Sequence, residues 1–162
     1  MLSIVLTGAT LLSGSKNAVL PEKDIGGTIF LVNRQHVISE QYVPEPLRKT
    51  QVYGMSQSMR EDAATALEEL FQAAQADGIK LSSGYRSYSK QSLLYDRKTK
   101  RTGSETEADK LVARPGASEH QLGLAMDLAT RNSSTLSEKF GSTPEGQWVY
   151  ANCQRFGFIV RY

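Results

Sequence analysis

Cysteine occurs once in this 162-residue chain, as Cys153, and histidine twice, as His36 and His120. One cysteine excludes an internal disulfide and any CxxC metal knuckle. Set between aromatic and apolar residues, Cys153 reads as a buried structural thiol rather than a nucleophile. A lone thiol fits the cytoplasm, and it equally fits an exported protein that folds without bridges. Charge of one sign is also missing. The 19 Lys and Arg against 17 Asp and Glu leave a formal net charge of +2. No nucleic acid and no strongly acidic partner is expected from that balance. The densest charged run, Arg97-Lys98-Thr99-Lys100-Arg101, reads as a solvated helix end in preference to a binding patch. Long hydrophobic runs are absent too. The apolar stretch at residues 1–12 is too short to cross a bilayer, so no stable membrane span is expected within the chain. No Lys or Arg precedes it, as one would in a secretory leader. Residues 1–27 are expected to form an N-terminal extension, either an export or anchor remnant or a mature N-terminal strand.

The length suits one domain with a real core. Hydrophobic residues at 40% and charged residues at 22% are those of a globular protein. Thr28-Ile29-Phe30-Leu31-Val32 is β-branched and aromatic, which predicts a strand. Residues 33–57, with Pro44 and Pro46, predict an irregular extended connection. A helix is expected over 58–77, opened by a capping box of Ser58 and Glu61. Its apolar face would carry Ala63, Leu67, Leu70, Phe71 and Ala74, and a left-handed Gly78 would end it. Residues 79–82 alternate as a strand and lead into Ser83-Gly84-Tyr85-Arg86-Ser87. Helices follow over 89–100, closed by Gly103, and over 105–113, broken by Arg114-Pro115-Gly116. Leu122, Leu124, Met126 and Leu128 have the period of a strand. After a polar loop over 130–142, Thr143 as N-cap, Pro144 and Glu145 open a last helix that ends near Gly157. Phe158-Ile159-Val160 begins a final strand. Helices and strands mix with no regular βαβ rhythm and no Gly-rich phosphate loop. The predicted class is α+β: one domain over 28–162, with a small, mainly antiparallel sheet flanked by helices.

Two short stretches carry chemistry. The first is Ser118-Glu119-His120-Gln121-Leu122-Gly123-Leu124-Ala125-Met126-Asp127. Imidazole and carboxylate are both good zinc ligands. Along an unbroken strand, residues seven apart face opposite sides. His120 and Asp127 therefore reach one ion only if the chain turns between them; Gly123 permits the turn and Ala125 leaves room. The competing reading is a histidine satisfied by ordinary hydrogen bonds. The second stretch is Ser83-Gly84-Tyr85-Arg86-Ser87. An Arg on a Gly-containing turn after a strand suits a carboxylate or an oxyanion; the competing reading is a surface Arg paired to a nearby acid.

Taken together and in order, SGYRS, then Gln91, then PGASEHQLGLAMDL resembles the VanY family of D-alanyl-D-alanine carboxypeptidases. That family sits within the zinc peptidases that share a fold with the Hedgehog signalling domain. GTIFLVNRQHVISEQYVPEPL resembles its N-terminal strand and Tyr-x-Pro connection, and WVYANCQRFGFIVRY its Trp-containing helix and following strand, so the likeness covers about residues 27–162. The resemblance implies that His120 and Asp127 are two of three zinc ligands. It implies that Arg86 holds the scissile carbonyl and steadies the developing oxyanion. It implies that Ser118 helps seat the C-terminal residue of the substrate, with Tyr85, Ser87 and Gln91 on the substrate-facing wall. The implied reaction is metal-assisted hydrolysis at the D-Ala end of a peptidoglycan stem peptide, and the implied place is the cell envelope outside the membrane.

The chain departs from the pattern in one respect. The family's third ligand, a His, and its general base, a Glu, lie in a Glu-x-Trp-His motif that this sequence does not contain. The expectation is a chain truncated before that motif. His36 is expected to be a surface or structural residue. The remaining alternatives are an L,D-carboxypeptidase or a D-Ala-D-Ala dipeptidase on the same machinery, and a non-catalytic module that binds cell-wall peptides.

Overall fold

The computed structural model describes residues 2–6, 32–74, 78–133 and 138–161, with residues 2–6 and 138 described by their backbone alone. The strand expected at 28–32 lies outside these residues except for Val32, which is buried and outside any strand.

Among the described residues the main sheet is antiparallel and has four strands: β1 (Leu2–Leu6), β4 (Ile79–Ser83), β5 (Ala125–Thr130) and β6 (Phe158–Val160), in the order β4-β5-β1-β6. Residues 2–6 are paired between β5 and β6. A second, two-stranded sheet joins β2 (Leu47–Lys49) to β3 (Ser58–Arg60). This corrects the expected helix start. Ser58 does not cap a helix; it pairs with Lys49. Helix α1 (Glu61–Ala73) begins after Arg60, with no side chain capping it. The cross-strand partner is remote in sequence, so the local Ser58-Glu61 signal loses to it. Gly78 is not left-handed either.

The later elements follow the local signals more closely. Helix α2 (Tyr88–Thr102) starts where the Ser87 hydroxyl accepts the Lys90 N–H and stops at Gly103, φ +72°. Helix α3 (Glu105–Asp109) is shorter than expected and is followed by turns. Helix α4 (Pro144–Asn152) opens with Thr143 accepting the Gly146 N–H at 3.1 Å.

The core lies between α1 and the sheet. Ala63, Ala64, Leu67, Leu70 and Phe71 of α1 join Ile79, Leu81, Met126, Leu128 and Phe158 of the sheet, with Val149 and Cys153 beside them. Burying each large apolar side chain contributes about 1.5–3 kcal/mol. The two-stranded sheet is held to α1 by the Arg48 guanidinium, whose two terminal nitrogens donate to Glu68 at 2.7 and 2.8 Å. On β5 the side chains alternate. Met126 and Leu128 enter the core cluster, and Asp127 takes the opposite face.

Candidate functional site

The segment between Ser118 and Asp127 is not one strand. Glu119–Leu122 forms a 3-10 turn, Gly123 takes the left-handed conformation (φ +70°), and only then does β5 begin. The required turn is therefore present, and at the glycine. A Cβ at Gly123 would come within 3.0 Å of the Arg60 nitrogen and 3.2 Å of Leu47 and Pro44.

The turn brings His120 Nε2 to 3.4 Å from Asp127 Oδ2. Both side chains are nearly buried, at 10% and 4% exposure. The other ring nitrogen, Nδ1, lies 2.7 Å from the Gly84 carbonyl oxygen. A carbonyl only accepts, so Nδ1 carries the proton and donates it. In the neutral ring this leaves Nε2 as a lone pair aimed toward the carboxylate. Two acceptor atoms face each other, and 3.4 Å exceeds the span of a charge-assisted hydrogen bond, about 2.7–2.9 Å. It matches the edge of a tetrahedron: ligand atoms about 2.0–2.1 Å from a tetrahedral zinc lie about 3.4 Å apart. Asp127 Oδ1 is buried with no hydrogen-bond partner among the described residues. A buried carboxylate oxygen left unpaired is costly, and a cation resolves that cost. The pair fits a divalent metal. Among the described residues no third His, Cys, Asp or Glu joins it. Glu119 turns instead to Arg161, 3.2 Å away, and burial pushes its carboxyl up against the opposing pull of that arginine. His36 is engaged by the Asn33 side chain at 3.2 Å, and Cys153 is buried in the core.

Arg86 faces the same carboxylate. Its Nη2 is 3.7 Å from Asp127 Oδ2 and donates to Ser83 Oγ at 2.9 Å, while Nη1 donates to Gln91 Oε1 at 2.9 Å. Burial lowers its pKa and the charge of Asp127 opposes that shift; a guanidinium remains charged at any working pH. The two loops also share backbone. Arg86 N–H donates to the His120 carbonyl at 3.1 Å, while the His120 ring donates to Gly84.

The other expected site residues divide. Ser118 is buried and opens the 3-10 turn, its carbonyl accepting the Gln121 N–H at 3.1 Å. Tyr85 is half-buried beside Arg86, its N–H on the Ser58 carbonyl at 2.7 Å, and burial pushes its phenol up. Ser87 is half-buried and spends its hydroxyl as the α2 cap, bonded also to Ser89. Gln91 is not on a substrate-facing wall. It is 1% exposed, and its amide is used up between Arg86 and the Ala113 carbonyl, 2.6 Å from Nε2. Helix α2 turns residue 91 inward, which the spacing alone did not disclose.

Ser83 and Gly84 lie in the SGYRS stretch, where the sequence gives neither a role of its own in the site. At the end of β4 the register shifts: Leu81 pairs with Leu128, but Ser83 pairs with Asp127. The extra residue, Ser82, forms a β-bulge that brings Ser83 into step with the carboxylate. Gly84 has no room for a side chain, since a Cβ would stand 2.8 Å from the Ser58 oxygen. Its glycine in SGYRS was the available signal; the bulge left none.

The chain is 42% identical to the Bacillus subtilis protein YodJ, which carries a carboxypeptidase name, over 83% of this chain and 52% of that protein. Among solved structures it resembles the LD-carboxypeptidase LdcB, with 40% identity and a TM-score of 0.75 over 82% of this chain and 65% of that one. It also resembles a vancomycin-resistance D,D-pentapeptidase VanY in complex with Zn(II), with 35% identity and a TM-score of 0.63 over 80% and 74%. These neighbours share the α+β fold of the zinc D-Ala-D-Ala peptidases, as the sequence had implied. The chain spans about half the length of the curated relatives it matches. The family model described as D-alanyl-D-alanine carboxypeptidase, VanY, matches residues 56–162, the stretch that carries Arg86, His120 and Asp127, and the chain belongs to that family.

Proposed function

We propose that this chain carries the metal and oxyanion half of a zinc-dependent D,D-carboxypeptidase that removes C-terminal D-Ala from peptidoglycan stem peptides, in the cell envelope outside the membrane. The observation that carries the reading is the convergence of His120 Nε2 and Asp127 Oδ2 at 3.4 Å, with the Arg86 guanidinium 3.7 Å from the same oxygen. His120 and Asp127 would hold the metal. Zinc, when bound, supplies Lewis-acid polarisation of the scissile carbonyl and an acidified water.

The chain's own residues supply the rest of what is described. The Gly84 carbonyl fixes the tautomer of His120 and so keeps Nε2 free to ligate. Arg86, braced by Ser83 and Gln91, presents a permanent positive charge beside Asp127, where negative charge develops on a carbonyl oxygen during attack. Ser118, buried just before the ligand turn, would seat the terminal residue of the peptide. Tyr85 and Ser87, which flank Arg86 in the sequence, are assigned to the substrate-facing wall.

The test is release of D-Ala, followed by chromatography, from stem pentapeptide, stem tetrapeptide and free D-Ala-D-Ala, with and without a chelator. Pentapeptide is expected to be the preferred substrate, and chelation is expected to abolish release. Preference for tetrapeptide would install the L,D-carboxypeptidase reading, which the likeness to LdcB favours. Preference for the free dipeptide would install the dipeptidase reading. Stem-peptide binding without hydrolysis, unaffected by chelator in a zinc-loaded full-length protein, would install the non-catalytic binding module.

A further inference from the structure

We propose that the outward face of α2 is a docking surface for a linear phosphodiester polymer of the cell wall. Among the described residues, most basic side chains outside α2 are engaged. Arg48 is bound to Glu68, Arg60 to Asp62, Lys110 to Glu107, Arg114 to Asp109 and Glu105, and Arg161 to Glu119. Helix α2 is different. Lys90, Arg97, Lys98, Lys100 and Arg101 make no ion pair and no side-chain hydrogen bond among the described residues, a state shared outside α2 by Lys49 alone. All but the half-buried Lys98 are exposed.

Neighbouring acids do not neutralise them. Those of α3 are committed: Glu105 and Asp109 to Arg114, and Glu107 to Lys110. Asp96 is the one carboxylate on α2 itself, four residues before Lys100. The dipole of the helix favours cations in its last turn and so accounts for Lys100 and Arg101. It does not account for Lys90 or Arg97. The exposed cations run along about 16 Å of helix, at a rise of 1.5 Å per residue.

The form of the surface selects the partner. Leu93 is the large apolar side chain that α2 exposes, and one such residue does not embed a helix in lipid. The aromatic residues of α2, Tyr88 and Tyr95, are half-buried and buried, so no ring is offered for base stacking. A flexible chain of phosphates needs neither. Because α2 starts at the residue next but one to Arg86, a polymer lying on it would hold the site near its wall. The choice of a wall polymer as the source of phosphate rests on the peptidase reading above; the binding itself requires no hydrolysis and no metal.

The test uses the purified chain, without added zinc, and fluorescent poly(glycerol phosphate). Affinity is measured at about 50 and about 200 mM salt. Four phosphate contacts, at a log–log slope of about −0.7 each, predict a fall of about 50-fold between them. A variant with Lys90→Gln, Arg97→Gln, Lys100→Gln and Arg101→Gln is expected to lose at least about tenfold at the lower salt, while Lys49→Gln changes little. Gln keeps helix propensity; should the fourfold variant misfold by circular dichroism, the four single variants are expected to show graded losses. Single-stranded DNA and vesicles rich in phosphatidylglycerol are expected to bind more weakly than the polymer. Absence of polymer binding, equal binding by the variants and the parent, or tighter binding to DNA or vesicles would overturn the proposal. Because the assay is independent of D-Ala release, either reading can fail while the other stands.

Discussion

Ser83 stands opposite Asp127 because the sheet holds one residue more on β4 than on β5 at that point. Without the bulge, Ser82 would face the carboxylate and Ser83 would point away from it, since a one-residue slip exchanges the two faces of a strand. With it, Ser83 Oγ accepts from the same Arg86 nitrogen that lies 3.7 Å from Asp127. The arginine is thus steered by two partners on one strand pair before any substrate arrives.

Removing a ligand should remove the metal. His120→Ala and Asp127→Asn are each expected to lower zinc affinity by more than the roughly 10–100-fold that loss of an outer hydrogen-bonding partner costs. Calorimetric titration with zinc, on variants checked for folding, measures it. Unchanged affinity in either variant would remove that residue from the metal site.

Arg86 and its braces should act on turnover and leave metal binding alone. In a zinc-loaded full-length protein, Arg86→Ala is expected to lower kcat on the order of 10²-fold or more, the scale set by loss of an oxyanion donor. Gln91→Leu keeps Arg86 but removes its acceptor and leaves the Ala113 carbonyl without its donor. It is expected to lower kcat by a smaller factor and to cost about 1–3 kcal/mol of stability. Release of metal by Arg86→Ala would make the arginine structural.

Gly123→Ala tests the turn that joins the two ligands. The left-handed backbone and the 3.0 Å approach to Arg60 both oppose a side chain there. The expected cost is about 1–3 kcal/mol by denaturant unfolding, together with weaker zinc binding, because the turn sets the spacing of His120 and Asp127.

Glu68 should give the fold an acid-sensitive component. Its hydrogen bonds from Arg48 hold its carboxyl below the ordinary 4.5, with burial opposing and the Gln51 N–H assisting. A carboxyl with a depressed folded value stabilises the native state above the unfolded value and loses that contribution as pH falls through the folded one. Stability measured from pH 6 downward is therefore expected to fall less steeply below about 4.5 in Glu68→Gln than in the parent, by about 1 kcal/mol for a partly exposed pair.

Much of the site was legible because its elements are local. A histidine, a glycine that turns the chain and an aspartate lie within eight residues, and Arg86 sits in a glycine-marked turn. The core face of α1, the Gly103 stop of α2 and the Thr143 cap of α4 are likewise local signals. What failed depends on remote partners. Ser58 looked like a helix cap until Lys49 paired with it. That residues 2–6 form a strand depends on β5 and β6, which lie more than a hundred residues away in sequence. Gln91 looked accessible because nothing in its neighbours reveals that Ala113 lies behind it. The bulge at Ser82 is a property of two strands in register, and one strand's sequence does not record it.

The reciprocal hydrogen bonds between the two loops, His120 ring to Gly84 and Arg86 amide to the His120 carbonyl, carry a consequence for engineering. Neither loop can be grafted onto another scaffold alone without forfeiting the orientation of both. The smallest transplantable unit is residues 83–91 and 118–127 as a pair, and a designer who swaps one for a homologue's version should expect to swap the other with it.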